Sequence, residues 1–137
     1  MSATAPVDVV LVVDAANVVG SRPDGWWRDR AGAATRLLAR LAGIVGTTAP
    51  GPDGVNLRLA RVEVVLEGRA RDATDPGAPG LVVHRASQDG DTEVVRVADA
   101  VDGAVLVVTA DRGLRARLGD AAAAGPGWLL ALLDPAA

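Results

Sequence analysis

Cysteine, lysine, phenylalanine and tyrosine are all missing from this chain, and histidine occurs once, as His84. Each absence removes a class of chemistry. Without cysteine there is no disulfide framework and no thiolate zinc site, and a single histidine cannot build a His-rich metal centre. Any metal must therefore be held by oxygen, which points to Mg²⁺, Mn²⁺ or Ca²⁺ rather than Zn²⁺. Missing lysine counts against a phosphotransfer receiver, which wants a lysine after its last strand. It also leaves arginine as the sole strong base, fourteen residues in all, in a chain of net charge −3. That balance argues against a protein that coats nucleic acid nonspecifically, and is compatible with an enzyme that touches a few phosphates. Long apolar runs are lacking too. The first residues carry no basic segment, and Val9 to Val13 is too short for a membrane span or a signal core. A cytoplasmic protein with no membrane partner is expected.

What is present is a half-hydrophobic chain of 137 residues, the size of one domain spanning 1–137. Its core must be made of Val, Leu and Ala. Val7 to Val13 reads as a strand buried on both faces. Pro23 and Asp24 offer a helix start, followed by a stripe of Trp27, Ala31, Ala34, Leu38 and Leu41 that Gly43 closes. Residues 46–56 and 67–80 are rich in turn formers and predict loops. Arg61–Leu66, Leu81–Val83 and Ala104–Val108 predict the second, third and fourth strands. Asp91 opens a helix with Val94, Val95, Ala98 and Val101 as its apolar positions. A further helix runs from Arg112 through Leu114, Leu118 and Ala121 to Gly125–Pro126, and Trp128–Leu133 predicts a fifth strand. Strands alternating with helices give an α/β three-layer sandwich around a mostly parallel sheet.

On that scaffold the acids gather. Asp14 follows the first strand, Glu67 the second and Asp111 the fourth, while Asp91 begins the helix after the third. The C-terminal ends of parallel strands share one edge, where open α/β sheets bind ligands. If the order is 3-2-1-4-5, Asp14 and Asp111 face each other there. Crowded carboxylates repel, and a hard divalent cation removes that penalty while acidifying a bound water. The plainer alternative is that each Asp caps a helix, and that Glu67 pairs with Arg69 or Arg71.

The segments VVDAANVVG (Val12–Gly20), GDTEVVRVAD (Gly90–Asp99) and VVTADRGLRARL (Val107–Leu118) resemble the PIN-like nuclease superfamily. The nearest resemblance is to its NYN branch, with the YacP-like ribonucleases and their actinobacterial relatives. The resemblance implies a sheet of order 3-2-1-4-5 and Mg²⁺- or Mn²⁺-dependent endoribonuclease activity. RNA is the implied partner, ribosome- or tRNA-associated. It maps the first catalytic Asp to Asp14, a polar site residue to Asn17, the middle acid to Asp91 and the last to Asp111. The family's middle segment often holds two adjacent acids. Here it reads Asp89–Gly90–Asp91, so Asp89 is a further metal-ligand candidate and Glu93 a substitute.

Arg112, beside Asp111, and Arg22, Arg28 and Arg30, after the first strand, are candidates for contacts to RNA phosphates. Trp27 fits the apolar stripe and is expected in the core; Trp26 falls off it and is the better candidate for stacking a base, with packing against a neighbouring loop as the favoured plainer reading. His84 is assigned a structural role. The apolar WLLALL segment is expected at a sheet edge or a homodimer contact. Two alternatives share the scaffold: an inactive or weak RNA-binding module, and a hydrolase of free nucleotides.

Overall fold

The structure, a computed structural model, describes residues 5–22 and 24–134. Strand β1 (Val7–Asp14) lies at the centre of the sheet, because its apolar side chains alternate between two cores. Val9, Leu11 and Val13 face one layer and Val12 the other. Strands β3 (Asn56–Leu66) and β5 (Val105–Val108) flank it, both parallel. Outside them lie β4 (Leu81–Arg85) and β6 (Ala122–Ala124), again parallel. Counting parallel strands only, the order is the expected 3-2-1-4-5.

The sheet is nevertheless mixed. Strand β2 (Thr48–Pro50) runs antiparallel to the first residues of β3, Asn56–Arg58, within the segment expected as a loop. It shares the β3 edge with β4, which pairs only further along, at Val62–Leu66. The second parallel strand is therefore eleven residues long, almost twice the Arg61–Leu66 expected.

Helices α1 (Ala15–Gly20), α2 (Arg30–Ala42) and α5 (Pro126–Leu133) contribute Val18, Leu38 and Leu129 to one core layer. Helices α3 (Gly90–Asp99) and α4 (Arg112–Ala116) contribute Val94, Val97 and Leu114 to the other. The result is a three-layer α/β sandwich. Among the described residues no helix is long and apolar enough to cross a membrane.

Several expectations need correction. Trp128–Leu133 is not the fifth strand but the body of α5, with Pro126 at its start. Proline's fixed φ suits the first helical turn, and a six-residue apolar run carries no periodicity that separates strand from helix. The segment is therefore not an edge strand, and Leu129 within it is fully buried in the chain's own core. The true edge strand is three alanines, a residue depleted in strands, so its composition conceals it.

Helix α2 begins at Arg30 rather than behind Asp24, and its cap is Asp29, whose Oδ1 accepts the Gly32 N–H at 2.9 Å. A 3₁₀ turn, Trp26–Arg28, intervenes after Gly25, which sits at φ 80° where only glycine is comfortable. Trp27 thus leaves the stripe and is 53% exposed, whereas Trp26 is half-buried. Pro23 lies outside the described residues. Helix α3 starts one residue before Asp91, capped by Asp89. Finally, α4 stops at Ala116, although Leu118 beyond it is still buried. Helix α1 was not expected: the chain turns directly from β1 into it.

Candidate active site

The ends of β1, β3 and β5 and the start of α3 meet at one edge of the sheet. Asp14 is the last residue of β1 and is only 5% exposed. Its Oδ2 accepts the Thr109 hydroxyl at 3.0 Å. Thr109 is fully buried just past β5, and its own N–H is bonded to the Ala124 carbonyl at 2.9 Å. The same hydroxyl oxygen accepts the Asp111 N–H at 3.1 Å. Next to this chain of bonds, the Asn17 side-chain oxygen on α1 accepts the Ala110 N–H at 2.8 Å. Asn17 thereby locks the turn after β1 to the turn after β5. Arg115 completes the frame by donating to the Thr109 carbonyl at 3.0 Å.

The electrostatics are unusual for a buried carboxyl. Burial raises Asp14 from the usual 3.8 to about 6, against the pull of Thr109 and of the Asn17 amide. Asp91 and Glu67 push it further upward. Asp91, half-buried in the first turn of α3, is raised as well, by burial first and then by Asp111, Glu67 and Asp89. The opposing cation is Arg117, whose charge lowers Asp91. Its guanidinium also bonds the Thr92 hydroxyl at 3.2 Å. Asp14, Glu67, Asp91 and Asp111 therefore form one negatively charged cluster, coupled through space.

Glu67 explains the glycine between Asp89 and Asp91. Its Oε2 accepts the Gly90 N–H at 2.9 Å. A methyl group on Gly90 would stand 2.8 Å from the Glu67 carboxyl carbon. The two acids are separated because a third carboxylate docks between them. No ion pair joins Glu67 to Arg69 or Arg71 among the described residues.

The capping alternative holds for two of the candidates. Asp89 is exposed and accepts both the Thr92 N–H (2.7 Å) and the Thr92 hydroxyl (3.1 Å), which lower its pKa. Asp111, also exposed, accepts the Leu114 N–H at 2.9 Å. Asp14 also stands at a helix N-cap, that of α1, where the Asn17 amide pulls its pKa down without reaching full hydrogen-bond geometry, and Asp91 lies inside its helix. Glu93, the proposed substitute, is paired with Arg96 instead.

The arginines divide. Arg112 is exposed beside Asp111. Arg22 points to Asp134 at 3.9 Å and lines a groove between α1, α2 and α5. Arg28 lies over the Trp27 ring at 5.8 Å. No contact among the described residues joins any of the three to the acids. His84 is bonded to Glu63 at 2.7 Å, in the structural role assigned to it. Sequence reasoning missed Thr109, Arg115 and Arg117. The available signal for Thr109 was a lone hydroxyl between an apolar strand and an acid.

Among the described residues no three acidic or imidazole side chains stand in position to ligate one ion directly. No family model matches the chain, and no curated protein matches it either. Among solved structures, the crystal structure of Rae1 (YacP) from Bacillus subtilis (W164L mutant) is similar. It superposes with a TM-score of 0.68 over 93% of this chain and 76% of that one, at 18% sequence identity. The chain thus shares the layered α/β fold of that protein, and at this identity the likeness is one of fold.

Proposed function

We propose that the chain is a divalent-metal-dependent endoribonuclease whose site is the acidic cluster at the ends of β1 and β5. The observation that carries this reading is Asp14: a carboxyl 5% exposed, raised to about 6, with acids and neutral donors around it. A buried acid without a cationic partner is electrostatically strained, and such groups concentrate at functional sites. The structural likeness to a protein bearing the YacP name supports the same direction.

The donor chemistry fits Mg²⁺ or Mn²⁺, since every candidate ligand is a carboxylate and none is sulfur or imidazole. These ions usually take one or two carboxylates and keep several waters, consistent with acids that lie near each other without a directly ligating trio. Asp14 and Asp91 would hold the ion, with Asp111 and Asp89 at the rim, their carboxylates also serving α4 and α3 as caps. When bound, the ion supplies Lewis-acid stabilisation of the phosphate and an acidified water.

The remaining tasks fall to this chain's own residues. Thr109 orients Asp14 through one hydrogen bond. Asn17 holds the two turns in register. Arg112 is the exposed guanidinium best placed along the chain to meet a phosphate, and Arg22 and Arg28 would act on RNA further from the cleaved bond. Substrate RNA implies a cytoplasmic setting, near ribosomes or tRNA.

The test is cleavage of RNA in the presence of Mn²⁺ by the natural chain and by Asp14→Asn. The expected result is cleavage lost in the variant. Equal cleavage by both overturns the reading. Binding of RNA with no cleavage by either selects an RNA-binding module, which the capped state of Asp89 and Asp111 favours.

A further inference from the structure

Beside the acids the surface sinks into a cavity of about 210 Å³, bounded by Ala15, Val19, Trp26, Arg30, Glu67 and Gly68. Ala15 directly follows Asp14, and Glu67 is one of the two acids whose charge reaches Asp14. Cavity and acidic cluster therefore share a wall. The lining is unlike a plain aliphatic pocket. The Arg30 guanidinium lies 5.3 Å from the centre of the Trp26 ring. Trp27 meets that ring edge-on, at 88° and 6.3 Å between centroids. The rest of the lining is mostly small, chiefly Ala15 and Gly68, with Val19 its bulkiest aliphatic member. Glu67, which also lines the cavity, uses Oε2 for the Gly90 N–H, and no hydrogen bond to its Oε1 is present among the described residues.

We propose that this cavity is a subsite for one unpaired nucleobase of the RNA, stacked on Trp26 and Arg30 with its edge turned toward Glu67. The proposal rests on the nuclease reading and specifies how that site takes its substrate. An aromatic ring paired with a guanidinium is the usual platform for an unstacked base. The volume takes a single base and excludes a base pair. The charge decides which part of a nucleotide enters. Glu67 disfavours a phosphate inside the cavity and leaves a neutral base free to enter, so the phosphate would stay outside it, at the ion that the acidic edge would hold. A carboxylate acceptor matches bases with an exocyclic amino group: adenine, cytosine and guanine. Uracil fits worst, because its one edge N–H is flanked by two carbonyl oxygens that face the carboxylate.

The full chain, labelled with ¹⁵N, is titrated without metal against adenosine, cytidine and uridine, and the three tryptophan indole N–H resonances are followed. The expected result is a saturable shift of the resonance that disappears in Trp26→Phe, with adenosine and cytidine binding more tightly than uridine. Trp26→Ala is expected to weaken adenosine binding about five- to 150-fold, the range measured for stacking one base. It should raise the KM for RNA in proportion while leaving kcat unchanged. Should Trp26→Ala fail to fold, Arg30→Ala, exposed on its helix, tests the same platform, with a smaller weakening expected. No response from the Trp26 resonance, or uridine binding as tightly as adenosine, overturns the proposal. So does an equal loss in Trp27→Ala, which lies outside the cavity. Nucleosides carry no phosphate and need no ion. Nucleoside binding without RNA cleavage would therefore overturn the nuclease reading and leave the subsite standing; cleavage without a nucleoside response does the reverse.

Discussion

Two carboxyls are buried in this sheet, and the protein treats them in opposite ways. Glu63 on β3 is 8% exposed, and Asp14 on β1 is 5% exposed. Glu63 is surrounded by positive or protonatable groups: Arg61 grips one oxygen with Nε at 3.0 Å and a terminal nitrogen at 2.9 Å, and His84 meets the other at 2.7 Å. Asp14 receives a threonine hydroxyl and no cation, and its nearest charged influences are acids. Burial alone therefore does not mark a functional acid. The mark is burial without a counter-charge, which a fold tolerates only where something else contributes.

The comparison is broken most sharply by activity. Asp14→Asn should reduce RNA cleavage by at least about a thousandfold, more than the roughly 10–100-fold typical of losing a group that only supports a metal ligand. Glu63→Ala should leave the cleavage rate of the folded protein unchanged. Thr109→Val is expected in that supporting range, about 10–100-fold slower, because it frees Asp14 without removing it. Since the Thr109 bond lowers Asp14, its loss should move the acidic limb of the pH–rate profile upward; an unmoved limb would separate that limb from Asp14.

Stability should show the reverse ranking. The raised pKa of Asp14 means the folded state holds its proton more tightly than the unfolded chain. The protein therefore gains stability as pH falls from above 6 toward 4 and loses it as pH rises. At pH 8 the penalty is on the order of 3 kcal/mol. Asp14→Asn should accordingly stabilise the metal-free protein by about 2–3 kcal/mol at pH 8 and by almost nothing at pH 4, measured by urea denaturation. Glu63→Ala should destabilise it by about 2–3 kcal/mol, less than a fully buried pair because Arg61 is nearly half exposed. The smallest effect concerns the seat of Glu67. Gly90→Ala should destabilise by about 1–3 kcal/mol through its clash with that carboxyl. Glu67→Ala in the same chain should relieve most of the loss.

Sequence and structure agree where residue type and position carry the same message. The valine-rich β1 and β5 announced two adjacent central strands, and Asp14 and Asp111 lie at their ends as expected. The 3-2-1-4-5 order came from the motif resemblance rather than from the residue pattern, while the mutual influence of Asp14, Glu67 and Asp91 follows from their shared strand-end edge. Elements defined by neighbours rather than by their own pattern were hidden. Ala122–Ala124 is a strand because β5 offers it a hydrogen-bonding edge, and α5 is a helix because Pro126 starts it above an apolar layer. Trp27 satisfied the helical spacing, yet the true cap at Asp29 starts the helix later and leaves that ring in solvent. Thr109 was invisible for another reason: a single hydroxyl has no period, and its importance lies in four partners distant in the chain or set by a turn.

The bond between the Thr109 amide and Ala124 has an effect that reaches past the sheet's rim. The outermost strand on that side, three alanines, anchors the backbone of the residue whose hydroxyl grips the buried Asp14. Loosening that border by prising the strand away would slacken the grip while Asp14, Glu67, Asp91 and Asp111 all remain in the chain.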